Sequence, residues 1–203
     1  MSSSYKYPLS KTILGRGEKF NEEVYEFLLE YNVDRHSDKS FWDNTILIEG
    51  LDGLGKTTFA KWLSQKMGWQ YIYFQKRETP QETLSSWVPH KYHSVIFDRS
   101  AFSTVCYHGL GWRELDRVKT GLQMNKWMGI IFLPNSERDR VRISLDPSFQ
   151  GDLSKVKQVE ECFQEISDHW SGYFVVVRTD YKAEDRVIPL NTLISSFKAF
   201  PSF

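Results

Sequence analysis

The feature that most constrains this chain is a glycine-rich stretch that lies between an apolar run and a helical pattern. It reads Gly-Leu-Asp-Gly-Leu-Gly-Lys-Thr over residues 50–57, after a β-leaning run at 45–49 and before a helix predicted over 56–67. A strand, a tight turn and a helix in this order can hold nucleotide phosphates, because the N–H groups of the turn and the positive end of the helix converge on them. The sequence therefore predicts a phosphate-binding loop, with a chance match that binds nothing as the alternative.

The residue types in this loop indicate separate roles. Lys56 would reach the β- and γ-phosphates, and the hydroxyl of Thr57 would ligate Mg²⁺, so ATP and Mg²⁺ are the predicted cofactors. Asp52 would repel phosphates unless it faces a second substrate or the metal, and a solvent-exposed loop acid is the alternative. The residues predicted to bind the cofactors are Gly50, Gly53, Gly55, Lys56, Thr57 and Thr58.

Strand and helix patterns alternate along the rest of the chain, which predicts an α/β fold with a parallel sheet of about five strands flanked by helices. The predicted strands are 45–49, 71–74, 94–97, 129–133 and 173–177. The predicted helices are 18–33, 56–67, a mainly helical region from 101 to 126, 153–170 and 190–197, with a short helix or loop at 80–87. Residues 1–44 are predicted to form an N-terminal arm and helix, and residues 45–203 a phosphate-binding-loop domain.

Composition excludes some classes of function. Lys plus Arg and Asp plus Glu both number 26, so the chain has no global basic field of the kind that coats DNA, although a local basic groove stays open. No apolar run reaches the ~18 residues of a membrane span, and the N-terminus lacks the apolar core of a signal peptide. These patterns predict a soluble cytoplasmic protein without a membrane partner. A homodimer is among the assemblies left open.

The two cysteines, Cys106 and Cys162, lie far apart in the sequence and lack the spacing of metal ligands. In the reducing cytosol that the other patterns predict, two free thiols are expected.

A second motif, Val-Ile-Phe-Asp-Arg-Ser, ends the predicted strand at 94–97. It places Asp98 and Arg99 at the carboxyl edge of a parallel sheet, where such sheets bind ligands. The acid could hold Mg²⁺ through water or accept the proton of an attacking hydroxyl, and the arginine could clamp phosphate oxygens. An ordinary ion pair at a strand end is the alternative.

A third motif, Ser-Glu-Arg-Asp-Arg-Val-Arg, follows the predicted strand at 129–133. Phosphoryl transfer relies on cations that surround the transferring group, and the motif supplies Arg138, Arg140 and Arg142, of which the first and the last lie four residues apart on one predicted helix face. We expect at least one of them to act at the γ-phosphoryl group. A solvated helix face, with Glu137 and Asp139 as ion-pair partners, is the alternative.

Two of these motifs resemble those of thymidylate kinases, a family whose fold deoxynucleoside kinases share. Ile-Glu-Gly-Leu-Asp-Gly-Leu-Gly-Lys-Thr-Thr is similar to that family's phosphate loop, and Asp98, Arg99, Ser103, Tyr107 and Gly109 match its D-R motif. The resemblance implies that Asp52 approaches a sugar hydroxyl of the acceptor nucleotide. The candidate catalytic residues are therefore Asp98, Lys56, Arg99, Asp52, Arg138 and Arg142, and the candidate metal ligands are Thr57 and Asp98.

The chain departs from this family on the acceptor side. Ser100 replaces an aromatic residue and His108 replaces a glutamine. Only about fifteen residues separate the Arg77-Glu78 turn from the strand that ends at Asp98, where the family has some fifty, so the usual acceptor-binding helices do not fit. The first helix could replace the missing wall or pack remotely. The residues Trp87, His90, Lys91, Tyr92 and His93 could contact nucleic acid or lie at the edge of the core.

Three functions remain open on this basis. The first is an ATP-dependent kinase that phosphorylates a free deoxynucleoside monophosphate or nucleoside. The second is a kinase that acts on a modified base in DNA, such as 5-hydroxymethyluracil in phage DNA, or on a DNA end. The third is a non-catalytic nucleotide-binding module, although the chain lacks the guanine-reading N-K-x-D of GTPases.

Overall fold

A parallel sheet of six strands forms the centre of the fold. The computed structural model describes residues 10–33, 45–75, 77–87, 94–110, 127–170 and 173–181. The strands are β1 (Ser10–Thr12), β2 (Thr45–Gly50), β3 (Gln70–Tyr73), β4 (Val95–Asp98), β5 (Trp127–Pro134) and β6 (Phe174–Thr179). They are arranged in the order β1-β6-β5-β2-β4-β3, and every neighbouring pair is parallel.

Helices flank this sheet, so the predicted α/β fold is confirmed. They are α1 (Gly17–Val33), α2 (Lys56–Met67), α3 (Pro80–Ser85), α4 (Ala101–His108), α5 (Glu137–Ser144) and α6 (Leu153–His169). Helix α1 packs against α2, and α4 packs against α3 and α6. The predicted helices at 190–197 and beyond residue 110 lie outside the described residues.

The sixth strand, β1, falls in the segment that was predicted to be an aperiodic arm. It pairs with β6, with Ser10 opposite Val176. The N–H of Ile13, the residue that follows β1, donates to the carbonyl of Arg178 at 2.9 Å. The prediction missed it because Ser-Lys-Thr is short and polar, so backbone pairing rather than an apolar pattern makes it a strand. The division of the chain at residue 44 stays a prediction.

The register of the central strands positions the site. All six residues of β2 are buried, because β2 lies between β4 and β5. Ile48 lies opposite Asp98, the last residue of β4, and Gly50 lies opposite Phe132 of β5. The end of β2 therefore extends two residues past the end of β4, and the loop after β2 lies at the same sheet edge as Asp98.

Helix α1 joins the main core through its apolar face. Phe20, Val24 and Leu28 are buried, and the ring of Phe20 lies 6.4 Å from that of Phe132. Lys66 of α2 donates to Glu22 of α1 at 2.6 Å. Of the two roles considered for this helix, packing on α2 and β6 is the one that the described contacts show.

The prediction of two free thiols was wrong. Cys106 of α4 and Cys162 of α6 form a disulfide, with their Cα atoms 5.4 Å apart. Sequence spacing could not show this, because the cysteines are 56 residues apart and meet only through the packing of the two helices.

None of the helices in the described ranges combines the length and apolar character needed to cross a membrane.

Candidate active site

The glycine-rich loop begins where β2 ends. Gly50, Gly53 and Gly55 have φ angles of +114°, +74° and +84°, a region that disfavours residues with a Cβ. A Cβ at Gly50 would also overlap the backbone of Phe132, whose carbonyl accepts from Leu51 N–H at 3.2 Å. Gly50, Gly53 and Gly55, which were predicted to let the backbone approach phosphate closely, thus lie at positions whose φ angles favour glycine.

The first turn of α2 presents the other predicted phosphate and metal ligands. Thr57 and Thr58 are exposed there. Lys56 is only 5% exposed; its Nζ donates to the Leu51 carbonyl at 2.5 Å and lies 3.7 Å from Asp52 Oδ1. Burial, with the charge of Arg99, lowers the pKa of Lys56 to about 8, although nearby carboxylates oppose this. A cation therefore lies within the loop.

Asp98 is fully buried at the end of β4. The hydroxyl of Tyr71 donates to its Oδ2 at 2.8 Å, while Oδ1 is buried and has no hydrogen-bond partner among the described residues. A buried carboxylate oxygen without a partner is costly unless something absent here satisfies it. Oδ1 is therefore the oxygen of Asp98 that a bound ligand could satisfy.

These donors fit Mg²⁺. Asp98 Oδ1 and the Thr57 hydroxyl are oxygen ligands, which Mg²⁺ prefers. Within the described ranges, no cluster of three or more His, Cys, Asp or Glu side chains could hold a metal ion. Mg²⁺ sites in proteins commonly use one or two protein oxygens and complete the shell with phosphates and water.

The turn after β4 connects Arg99 to the glycine-rich loop. Arg99 has a φ of +69°, which is rare for a residue with a side chain, and its N–H donates to the Ile48 carbonyl at 2.9 Å. Its guanidinium donates to Asp52 Oδ1 and lies 5.1 Å from the ring centre of Tyr107. The Tyr107 hydroxyl donates to Asp52 Oδ2 at 3.2 Å. Both carboxylate oxygens of Asp52 therefore accept hydrogen bonds from neighbouring side chains.

Glu49 is a site residue that the sequence analysis did not single out. It is fully buried and accepts hydrogen bonds from the hydroxyls of Ser100 and Ser103. Burial raises its pKa to about 7, although the two hydroxyls, Arg99 and Lys56 oppose the shift. Glu49 thus ties the end of β2 to the start of α4, where Ser100 is the N-cap. Its position before the first loop glycine was the only available signal.

A cavity of about 530 Å³ opens between the loop and α4. Its lining residues are Asp52, Gly53, Tyr73, Phe74, Thr83, Arg99, Ser100, Ser103, Thr104, Tyr107, His108, Asp146, Ser148 and Lys155. The volume lies within the ~300–1,000 Å³ typical of small-molecule sites, and the mixture of aromatic and polar groups is also typical. None of the described lining residues belongs to α1.

The three arginines predicted to supply a cation at the γ-phosphoryl group lie on α5, and none of them lines this cavity. Arg138 is exposed and Arg142 is half-buried. Arg140, between them, donates to both carboxylate oxygens of Glu160 on α6, at 2.6 and 2.8 Å, and also pairs with Glu137. Arg140 therefore fits the alternative interpretation of the motif, a charged helix face with ion-pair partners. The roles of Arg138 and Arg142 stay predictions.

Two further aromatic residues pack against residues that line the cavity. Trp87 is buried, with its ring 5.0 Å from those of Phe74 and Phe97, so it packs in the core; residues 90–93 lie outside the described ranges. Tyr181, which follows β6, has its ring against Gly53, and its N–H donates to Asp139 Oδ1 at 3.1 Å. This contact links α5 to the glycine-rich loop, and the sequence carried no signal for it.

The fold and site define a parallel α/β protein with a strand–loop–helix unit whose loop holds three glycines at positive φ. No protein-family profile matches the sequence. A protein of Acidianus bottle-shaped virus, named "Putative thymidylate kinase", is 37% identical over 71 residues. The match covers 30% of this chain and 46% of that protein, so the chain spans less than half of this relative's length.

Two solved structures resemble this one. The YorR protein of Bacillus subtilis, in complex with phosphorylated GDP, has a TM-score of 0.50 at 16% identity, covering 79% of this chain and all of that one. Deoxyadenosine kinase from M. mycoides, with bound dATP, has a TM-score of 0.46 at 13% identity, over 76% and 100% of the two chains. Of these two, only the YorR structure reaches a TM-score of 0.5, so the similarity in fold rests on that structure.

Proposed function

We propose that this protein is an ATP-dependent kinase that transfers the γ-phosphoryl group to a small nucleotide-type acceptor. One observation carries the proposal: Asp52 of the glycine-rich loop is hydrogen-bonded to Arg99 of the β4–α4 turn, and both line the 530 Å³ cavity. A donor loop and an acceptor-sized cavity thus share a wall. The thymidylate kinase name of the viral relative, and the guanine nucleotide in the Bacillus structure, support the same class of ligand.

On the donor side, the loop N–H groups and the N-terminus of α2 would bind the β- and γ-phosphates of ATP. Lys56 lies within the loop and would exchange its contact with the Leu51 carbonyl for phosphate oxygens. Thr57 and Asp98 would hold Mg²⁺, which neutralises phosphate charge when bound. Binding a triphosphate would also return the pKa of Lys56 toward its usual range, since the anion favours the charged amine.

On the acceptor side, Asp52 would orient the attacking hydroxyl, because it lines the cavity whereas the buried Asp98 does not. The hydroxyl oxygen forms a bond to the γ-phosphorus, the bond between that phosphorus and the β–γ bridging oxygen breaks, and ADP leaves. The proton of the hydroxyl would pass to Asp52, the carboxylate that lines the cavity. Arg99 would place its guanidinium near the transferring or acceptor phosphate.

The size of the cavity favours a free nucleotide or nucleoside over a base in DNA. A cavity of about 530 Å³ can hold a mononucleotide or a nucleoside. The chain also carries no net charge, whereas affinity for DNA rests on neutralising many phosphates.

A transfer assay with γ-labelled ATP tests the proposal. The purified chain is incubated with Mg²⁺ and, separately, deoxynucleoside monophosphates, nucleosides, unmodified DNA and DNA containing 5-hydroxymethyluracil. Label in a small acceptor is the expected result. Label only in a polymer would show that the acceptor class is wrong. ATP binding without transfer to any acceptor would show a binding module instead of a kinase. Lys56→Met, which removes the loop cation, controls for a contaminating kinase.

A further inference from the structure

The two carboxylate oxygens of Asp98, at the end of β4, have different surroundings. The hydroxyl of Tyr71 donates to Asp98 Oδ2 at 2.8 Å, and Oδ1 has no partner among the described residues. Asp98 is fully buried, so neither oxygen is open to bulk water. One oxygen is therefore already bound by the protein, and the other is the one that can bind something else.

The strand register makes this contact specific. Tyr73, not Tyr71, lies directly opposite Asp98, and Tyr71 lies opposite Ile96. Tyr71 reaches Asp98 diagonally, which aromatic side chains are long enough to do. The edge strand β3 thus places a hydroxyl on a carboxylate that is two positions further along its neighbour.

The direction of this hydrogen bond follows from the chemistry of its two groups. The phenol O–H is the donor of this contact, and the carboxylate oxygen Oδ2 is the acceptor. Lys61 lies 5.8 Å from the centre of the same ring.

We infer that Tyr71 is a positioning residue that holds Oδ2 of Asp98 and so directs Oδ1 into the coordination shell of the Mg²⁺ that accompanies ATP. This assignment rests on the proposed function, because it takes Mg²⁺-bound ATP as the ligand of the loop. It adds a residue from β3 that none of the three sequence motifs contains. Groups that orient a metal ligand commonly cost about 10–100-fold in metal affinity or activity when they are removed.

The test compares Tyr71→Phe with the wild type in two measurements. In the transfer assay, the Mg²⁺ concentration for half-maximal rate should rise about tenfold, while KM for ATP at saturating Mg²⁺ changes less than about twofold. In calorimetric titrations, ATP affinity without Mg²⁺ should be unchanged, and the increase in affinity that Mg²⁺ produces should shrink. Unchanged metal-free affinity also shows that the variant is folded.

Two controls separate positioning from general damage. Tyr25→Phe removes the hydroxyl of a tyrosine on α1 that is half-buried like Tyr71 and packs against Trp62, so it should match the wild type in both measurements. In an Asp98→Asn background, Tyr71→Phe should have no further effect, because both changes act through the same carboxylate.

The inference is overturned if the Mg²⁺ dependence of Tyr71→Phe equals that of the wild type, or if its effect adds fully to that of Asp98→Asn. Failure of the proposed function is a different result: the wild type would transfer no phosphoryl group to any acceptor. The calorimetric comparison still decides the role of Tyr71 in that case, because it measures binding and not turnover.

Discussion

The guanidinium of Arg99 donates a hydrogen bond to the carboxylate of Asp52, and this contact joins the β4–α4 turn to the glycine-rich loop. The positive φ of Arg99 shows that the backbone of the turn is held in an unusual conformation. The hydroxyl of Tyr107 occupies the other oxygen of Asp52. The acid that the sequence left ambiguous is therefore part of an arginine–tyrosine cluster that lines the cavity.

Asp52→Asn should weaken the acceptor side of the reaction more than the donor side. The substitution removes the charge that orients Arg99, and hydrogen bonds to charged groups contribute ~1.5–3 kcal/mol, which corresponds to a fall in kcat/KM for the acceptor of about 10–100-fold. KM for ATP should change little. Steady-state kinetics with each substrate varied in turn would measure this. Asp168→Asn, at an exposed position on α6, is the charge-matched control, and a loss confined to ATP binding would contradict the assignment.

Gly53→Ala should destabilise the protein for two reasons. Its φ of +74° disfavours alanine by ~1–2 kcal/mol, and a Cβ there would overlap the ring of Tyr181. Gly151→Ala is the matched control, since Gly151 has a φ of +85° with nothing within 4 Å of a Cβ. Chemical denaturation should show a larger loss for Gly53→Ala, and Tyr181→Ala should recover part of the difference. Equal losses for the two glycine variants would contradict the packing of Tyr181 on the loop.

Glu49 should make stability fall as the pH rises through neutrality. Its pKa is about 7 in the folded protein against 4.5 for the ordinary group, so between these values the folded state binds the extra proton. The stabilisation is complete below pH 4.5 and is lost as the pH rises through 7, with a size on the order of 3 kcal/mol. Glu49→Gln stays neutral, so its free energy of unfolding relative to the wild type should increase from pH 5 to pH 8.

Denaturation curves at several pH values would measure that difference. Glu26→Gln, at an exposed position on α1, should leave the wild-type pH dependence unchanged. A difference between Glu49→Gln and the wild type that is constant with pH would show that Glu49 keeps its ordinary pKa in the fold.

The disulfide between α4 and α6 should stabilise the protein. Closing a loop of this length, with the cysteines 56 positions apart, reduces the entropy of the unfolded chain by an amount worth roughly 4 kcal/mol. Reductant should therefore lower the melting temperature of the wild type and leave a Cys106→Ala, Cys162→Ala double variant unchanged. Two reactive thiols in the unfolded, unreduced wild type would contradict the disulfide.

The sequence predicted those parts of the fold that repeat a local pattern. Helix α2 has the predicted bounds, and β2, β4, β5 and β6 were located to within a few residues, because buried parallel strands are continuous apolar runs. β1 was missed because its pairing with β6 is a backbone contact between distant residues.

The candidate site was predictable in its motifs but not in its connections. The loop and the turn at Asp98 follow strands that end at the same edge, so their meeting follows from a parallel sheet. The contacts made by Glu49, Tyr71 and Tyr181 depend on register and packing between distant elements, for which neither spacing nor composition carries a signal. The prediction of two free thiols was wrong for the same reason, because Cys106 and Cys162 meet only through the packing of α4 and α6.

Phosphoryl transfer by Asp98→Asn is the most direct test of the central claim, that the glycine-rich loop and the end of β4 form the donor site of a kinase. The substitution keeps the shape of the side chain and its contact with Tyr71 but removes the charge beside the loop. We expect the wild type to transfer label from ATP to a small nucleotide-type acceptor and Asp98→Asn to be slower by at least the ~10–100-fold that the loss of a group behind a metal ligand costs, with metal-free ATP affinity preserved. Transfer by Asp98→Asn at the wild-type rate would contradict it.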